Sequence, residues 1–190
     1  GDHALAAESA RRALELAPDF AEARVNLALA HLKGGAADRA ETEARAALAA
    51  SPGLVEAYEI LGAALLASRQ AVAAVTVLQR AVALDPGAPR LHRQLGLTWE
   101  AAGNRTEAMR ALDEALRLDP SYVLALIDLG ALRLRAGKPD DALRHLERAV
   151  ARDPESAVAW VNLAAALVEL QRDREALDAS QNALALRPES

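Results

Sequence analysis

The side chains best suited to chemistry are four histidines, His3, His31, His92 and His145, and two adjacent carboxylate pairs, Asp113-Glu114 and Asp140-Asp141. An imidazole can act as general base or metal ligand, and neighbouring carboxylates can divide acid and base roles or hold a hard cation. The spacing argues against both. The histidines stand far apart, no two share one helix face at metal-ligand spacing, and a structural role is expected for each. Asp140 follows a turn and is expected to start a helix, where a carboxylate accepts backbone N–H bonds and complements the dipole. Asp113-Glu114 is expected on a solvated face. No nucleophile elbow, phosphate-cradling glycine loop, dinucleotide fingerprint or H-E-x-x-H pair occurs, and there is no cysteine to act as nucleophile or thiolate ligand. The reading is therefore a segment that is not an enzyme, with no catalytic residue, metal or cofactor assigned.

The elements that carry these side chains follow from composition. Of 190 residues, 48 are Ala, 32 Leu, 20 Arg, 15 Glu and 2 Lys, a strong excess of helix formers, while five aromatics leave little material for a sheet. The class is all-α. Charge is near balance, 22 basic against 27 acidic, which excludes the long-range attraction expected of a nucleic-acid binder. No apolar run reaches the roughly 18 residues that span a bilayer, and even the richest stretch, 123–134, contains Asp128 and Arg133. The lack of cysteine does not choose between compartments; the cytoplasm is slightly favoured over the periplasm. The preference for Ala and for Arg over Lys hints at a GC-rich, bacterial genome.

A long coiled coil would share this composition, and proline position decides against it. Pro18, Pro52, Pro86, Pro120, Pro154 and Pro188 recur every 34 residues, and proline inside a helix costs about 3 kcal/mol, so they mark helix ends. A fixed period of this length means stacked repeats. A half unit at 1–20 precedes five full units at 21–54, 55–88, 89–122, 123–156 and 157–190. Leu27, Leu61, Leu95, Leu129 and Leu163 keep the register, each followed by a small residue, Ala28, Gly62, Gly96, Gly130 and Ala164. Two columns are all alanine: Ala6, Ala40, Ala74, Ala108, Ala142, Ala176, and Ala13, Ala47, Ala81, Ala115, Ala149, Ala183. Within a unit, a first helix such as 55–68 carries Ala57, Leu61, Ala64 and Leu65 on one face, and a second such as 72–84 carries Val75, Leu78 and Val82. Turns fall at Gly34-Gly35, Gly103-Asn104 and 137–140, with Thr106 and Asp140 expected as N-caps. Ser68-Arg69-Gln70 and Leu170-Gln171-Arg172 lack glycine, which leaves the geometry of their turns open.

Over its whole length this pattern resembles the tetratricopeptide repeat family. The resemblance implies an α-solenoid, a right-handed superhelix of stacked antiparallel helix pairs, with first helices lining a concave groove that binds a protein or peptide. Aromatics are scarce for the family: Tyr58, Trp99 and Trp160 fill interior slots of first helices, and His31 and His92 take comparable places. The resemblance also implies which columns face the groove. The one before the core leucine reads Asn26, Ile60, Gln94, Asp128, Asn162, a broken form of the asparagine ladder with which relatives hold an extended peptide. Beside it run Val25, Glu59, Arg93, Ile127, Val161 and then Leu29, Ala63, Leu97, Ala131, Ala165. Asn26, Leu29, Glu59, Ile60, Arg90, Arg93, Gln94, Leu97, Ile127, Asp128, Val161 and Asn162 form the candidate binding face. Glu22, Glu56 and Glu59 come early, Arg90 and Arg93 midway and Asp128 later, an order that suits a basic-then-acidic partner. The family's clamp for chaperone C-termini is not matched, since Val25, Leu29, Ile60, Arg90 and Gln94 stand at its positions.

Three uses stay open: a scaffold gripping a peptide or partner helix, the non-catalytic arm of a multidomain enzyme such as a glycosyltransferase, and a self-associating solenoid. The segment starts at Gly1, half-way through a unit, and is read as a fragment of a larger protein. The first helix, 2–17, is expected to want a preceding partner. The last, 174–186, carries Leu177 and Leu184 on surface that a further unit would cover, so uncapped ends are expected to continue in the parent chain or to meet other copies.

Overall fold

The computed structural model describes residues 2–186, with side chains from residue 4 onward. Pro188 and the His3 side chain lie outside the described residues. Among those described, eleven helices form and no strand. The chain divides into two compact units, Gly1–Asn104 and Arg105–Ser190. The first holds α1 (Asp2–Leu16), α2 (Ala21–Lys33), α3 (Ala37–Ala50), α4 (Val55–Ala67), α5 (Ala71–Leu84) and α6 (Pro89–Ala101). The second holds α7 (Arg105–Leu118), α8 (Val123–Arg135), α9 (Pro139–Arg152), α10 (Ala157–Glu169) and α11 (Asp173–Leu186). In each unit every helix packs on the next in sequence. The first-type helices also pack on one another, α2 on α4 and α4 on α6 in unit 1, and α8 on α10 in unit 2.

Side-chain size is matched across the helix pairs. Ala40, Ala47, Ala74 and Ala81 in unit 1 and Ala108, Ala115, Ala142 and Ala149 in unit 2 are fully buried, because a methyl group is all that the close approach admits. Ala6, in the same register on α1, is exposed. The small column after the core leucine is tuned further: Gly62 lies against Leu78 and Gly130 against Leu146. Where the small residue is Ala28, Ala44 replaces that leucine and packs in the same buried cluster. In these three pairs glycine with leucine and alanine with alanine fill the same space; opposite Ala164 the register holds Ser180, and both line a cavity between α10 and α11.

The turns inside the pairs are all built alike. After α2, the Gly35 N–H donates to Leu32 O and the Ala36 N–H to His31 O, at 3.0 and 2.9 Å, the paired closure that needs a left-handed residue. Gly35, Gly103 and Gly137 take φ of 77°, 81° and 69°, and Arg69 and Gln171 take 60° and 58° at the same register. The two turns without glycine, whose geometry the sequence left open, take the same form: their Gln70 and Arg172 N–H groups close on Leu65 O and Leu167 O at 2.8 and 2.9 Å. Repetition of the helix crossing imposes the turn, and the non-glycine residues carry the strain.

The expected N-caps are also corrected. Thr106 lies inside α7 and Asp140 inside α9, behind Lys138, which has no side-chain cap bond. Ala36, Gln70 and Lys138, before α3, α5 and α9, already end the preceding turn and make no side-chain cap bond, so the starts of these helices are set by backbone bonds. Asp140 still complements the α9 dipole from the first turn. A side-chain cap does form at Ser156, whose Oγ accepts from the Ala159 N–H at 3.4 Å.

One recurring contact was not singled out from the sequence. The turn-proline carbonyl ahead of a first-type helix accepts from the side chain six residues on: Arg24 to Pro18 O, Tyr58 to Pro52 O, His92 Nε2 to Pro86 O and Trp160 Nε1 to Pro154 O, at 2.9, 3.1, 2.9 and 2.8 Å. In the remaining repeat this register holds Leu126, which cannot donate, and Arg148 supplies the bond to Pro120 O at 2.7 Å. The carbonyl acceptor requires His92 to carry its proton on Nε2. The signal was the constant six-residue offset from the proline column, filled by four chemically different side chains that share only a donor.

Candidate functional site

In unit 1 the candidate face is carried by α2, α4 and α6, which the 34-residue period sets side by side. Asn26 is exposed and Leu29 is 37% exposed on α2. They border an open cavity of about 670 Å3 between α1 and α2, whose walls include Phe20, Ala23 and Lys33. On α4, Ile60 is buried with Leu61 and Leu65 in a core cluster that also takes Ala28 and Ala44, so it serves packing and offers no surface. Glu59 reaches from α4 to Arg90 on α6 and forms an ion pair. The hydrogen bond that Arg90 donates to Glu59, more than the field of the carboxylate, holds the guanidinium above its ordinary pKa. The acidic and basic parts of the expected charge order thus offset each other here, and Arg90 is engaged within the molecule. Arg93, Gln94 and Leu97 are half-buried on α6. Gln94 Oε1 is buried without a hydrogen-bond partner, while the Gln94 backbone carbonyl accepts from Thr98 Oγ1 at 2.8 Å.

In unit 2 the face is carried by α8 and α10. Ile127 is buried and Asp128 half-buried on α8; on α10, Asn162 is half-buried and Val161 is 57% exposed. Val161 lines an apolar cavity of about 530 Å3 between α10 and α11 with Val158, Ala164, Ser180 and Leu184. The structure thus keeps ten of the twelve candidates at least partly accessible and withdraws Ile60 and Ile127 into packing. Their columns mix polar and apolar residues, and that mixture already marks where the face turns inward.

The carboxylate pairs have other occupations. Arg133 on α8 lies 3.4 Å from Asp113 on α7 and 3.7 Å from Asp141 on α9, and Glu114 pairs with Arg117 at 2.7 Å. His145, on α9 nearby, has Nδ1 buried without a partner. Burial pushes its pKa below the ordinary value, Asp113 and Asp141 opposing and Arg148 and Arg133 adding to the shift. Among the described residues no three histidine, aspartate or glutamate side chains gather where they could hold a metal ion, and no helix is long and apolar enough to cross a membrane.

Comparison with known proteins agrees with this architecture. Family models described as tetratricopeptide repeat match residues 1–55, 65–129 and 133–190. No curated protein matches the sequence significantly. Among solved structures, TTC0263, a thermophilic TPR protein of Thermus thermophilus, is similar at 28% identity over 87% of this chain and 91% of its own, with a TM-score of 0.75. YrrB, described as a TPR protein with an unusual peptide-binding site, is similar at 21% identity over 97% and 95% of the two chains, with a TM-score of 0.71. MamA is similar at 23% identity over 83% of this chain and 92% of its own, with a TM-score of 0.74. These likenesses give the fold, an all-α solenoid of paired helices. With repeat models spanning nearly all of its length and the same helix pair recurring in both units, this chain belongs to the tetratricopeptide repeat family.

Proposed function

We propose that the chain is a non-catalytic protein-interaction scaffold that holds a peptide or a partner helix on the faces of its first-type helices. The observation that carries this reading is the apolar surface left open there: Leu29 beside the α1–α2 cavity in unit 1, and Val161 and Val158 beside the α10–α11 cavity in unit 2. An apolar wall that includes one carboxamide, Asn26 in unit 1, and an apolar wall whose Val161 is followed along α10 by Asn162 in unit 2, are suited to an apolar anchor on a peptide whose backbone is held by donor and acceptor from one side chain. YrrB, with its peptide-binding site, supports the reading by analogy of fold. The test is selection of binders from a random peptide library on the intact chain, followed by mapping of amide shifts. Binders are expected to perturb Asn26, Leu29 and Leu97 or Val161 and Asn162. Asn162→Ala is expected to weaken a unit 2 binder by about 1 to 3 kcal/mol. Shifts confined to the turns, or affinities unchanged by Asn162→Ala and by Leu29→Glu, would refute it.

A second reading, self-association, is supported by Leu177 and Leu184 on α11, 59% and 61% exposed. Sedimentation across a concentration series is then expected to show assembly that Leu184→Glu reduces; a monomer at every concentration would count against it.

A further inference from the structure

On unit 1, Arg11 from α1, His31 near the end of α2 and Arg39 in the first turn of α3 line one open cleft of about 290 Å3, with Ala7 and Ala30 on its walls. Neither guanidinium has a partner among the described residues. Glu43, the one carboxylate that bears on His31, is held by Arg24 at 3.0 Å. His31 is held below its ordinary pKa by burial first, then by Arg11 and Arg39, with Glu43 opposing. The cleft gathers two guanidinium groups and an imidazole, and the one carboxylate that bears on His31 is already engaged by Arg24; a gathering of like charge of this kind is stabilised when an anion joins it.

The repeat supplies internal comparisons for the same place. Three repeat lengths along, the register positions of Arg11, His31 and Arg39 are Asp113, Arg133 and Asp141, and there a central cation is flanked by two carboxylates at 3.4 and 3.7 Å. One repeat along, they are Arg45, Leu65 and Ala73: a fully buried leucine fills the centre, and Arg45 is tied to Glu41 at 2.9 Å. Both of these versions pair their charges within the molecule, and four repeat lengths along the positions are Glu147, Leu167 and Glu175, a buried leucine between two carboxylates. In the first version the flanks are cations and the centre is an imidazole, and the negative group is what is missing.

We propose that the cleft framed by Arg11, His31 and Arg39 binds an oxyanion, a carboxylate or phosphate borne by a partner peptide. Two guanidinium forks grip it from either side and His31 donates to it from the floor. At 3.6 residues per turn, His31 faces away from Leu29 and Asn26 on α2, so the charged side chains of this site are not those of the candidate peptide face, although Ala30 borders both cavities.

The test follows the His31 imidazole by NMR pH titration in the intact chain, with His92, bonded to Pro86 O, as the reference in the same unit. The probes are inorganic phosphate, a short Glu-containing peptide, its phosphoserine counterpart and its Gln counterpart, with sodium chloride at matched ionic strength. Either anionic peptide is expected to raise the His31 pKa saturably and leave His92 unmoved. Response to the phosphoserine peptide alone identifies phosphate as the group; response to both means that a carboxylate suffices. Arg11→Gln with Arg39→Gln is expected to weaken binding roughly tenfold or more, as loss of charge-assisted bonds does. Both arginines are exposed, and circular dichroism checks that the fold is kept. The triple change Arg11→Asp, His31→Arg, Arg39→Asp, which installs the Asp113–Arg133–Asp141 set, is expected to abolish binding of either peptide. A chloride response equal to that of the peptides, an unchanged response in the double variant, or saturation by inorganic phosphate with no response to either anionic peptide would overturn the proposal.

Discussion

Replacing Gly130 with alanine tests directly how size is matched across a helix pair. A Cβ at Gly130 would stand 2.6 Å from Leu146 Cγ and 2.8 Å from Cδ2, well inside contact distance. Leu146 is fully buried, so it has no open space to turn into, and overpacking of this kind costs about 1 to 3 kcal/mol. The same substitution in an unobstructed helix interior would stabilise by about 1 kcal/mol through backbone entropy. The expected net effect is a loss of roughly 0 to 2 kcal/mol. Leu146→Ala alone leaves a cavity and is expected to cost about 3 to 5 kcal/mol. In that background the alanine at 130 has room, reproducing the Ala28 and Ala44 arrangement, and is expected to stabilise by about 1 kcal/mol. The sign reversal amounts to a coupling of roughly 2 kcal/mol between the two positions. Urea unfolding read by Trp160 fluorescence in a Trp99→Phe background confines the report to unit 2. If Gly130→Ala has the same sign and size with and without Leu146, the close approach does not select glycine and the argument fails.

Arg69→Gly and Gln171→Gly are each expected to stabilise the chain by about 1 kcal/mol in thermal or urea unfolding, because both residues hold a left-handed φ that glycine takes without strain. Tyr58→Phe keeps the ring but removes its bond to Pro52 O and is expected to cost about 0.5 to 1 kcal/mol, measured by the same unfolding experiments; Trp160→Phe removes the bond to Pro154 O together with part of the indole and is expected to cost more. His145 and His31 both lie below their ordinary value of 6.5 in the fold. The unfolded chain therefore binds more protons just below that pH, and stability is expected to be full above it and to fall as the pH drops through it toward the depressed folded values. Unfolding midpoints at pH 7.5 and 5.5 check the slope, which His145→Gln is expected to flatten.

The proline spacing and the alanine columns were enough to place the helix pairs within each unit, because a 34-residue period of helix ends and small residues is a property of the chain that survives without its neighbours. The bounds came out within a residue or two: 55–68 became α4 (Val55–Ala67), and 174–186 became α11 (Asp173–Leu186). What a column position does once the helices pack was decided elsewhere. Ile60 and Asn26 share a register, yet one is core and the other surface, since burial depends on which helix lies across it. Arg69 and Gln171 adopt the glycine turn because the crossing of the flanking helices leaves one way to close the backbone, a constraint that intrinsic preference cannot report. Glu59 and Arg90 were each legible as groove charges. That they cancel one another depends on the lateral spacing of α4 and α6, and the ion pairs of Arg133 with Asp113 and Asp141 depend in the same way on the spacing of α7 and α9 about α8. Sequence alone determined the helices, their number and their repeat, which rest on local backbone preference. Tertiary structure alone decided which side chains meet across helices, because Coulomb and packing energies depend on distances that no spacing along the chain specifies.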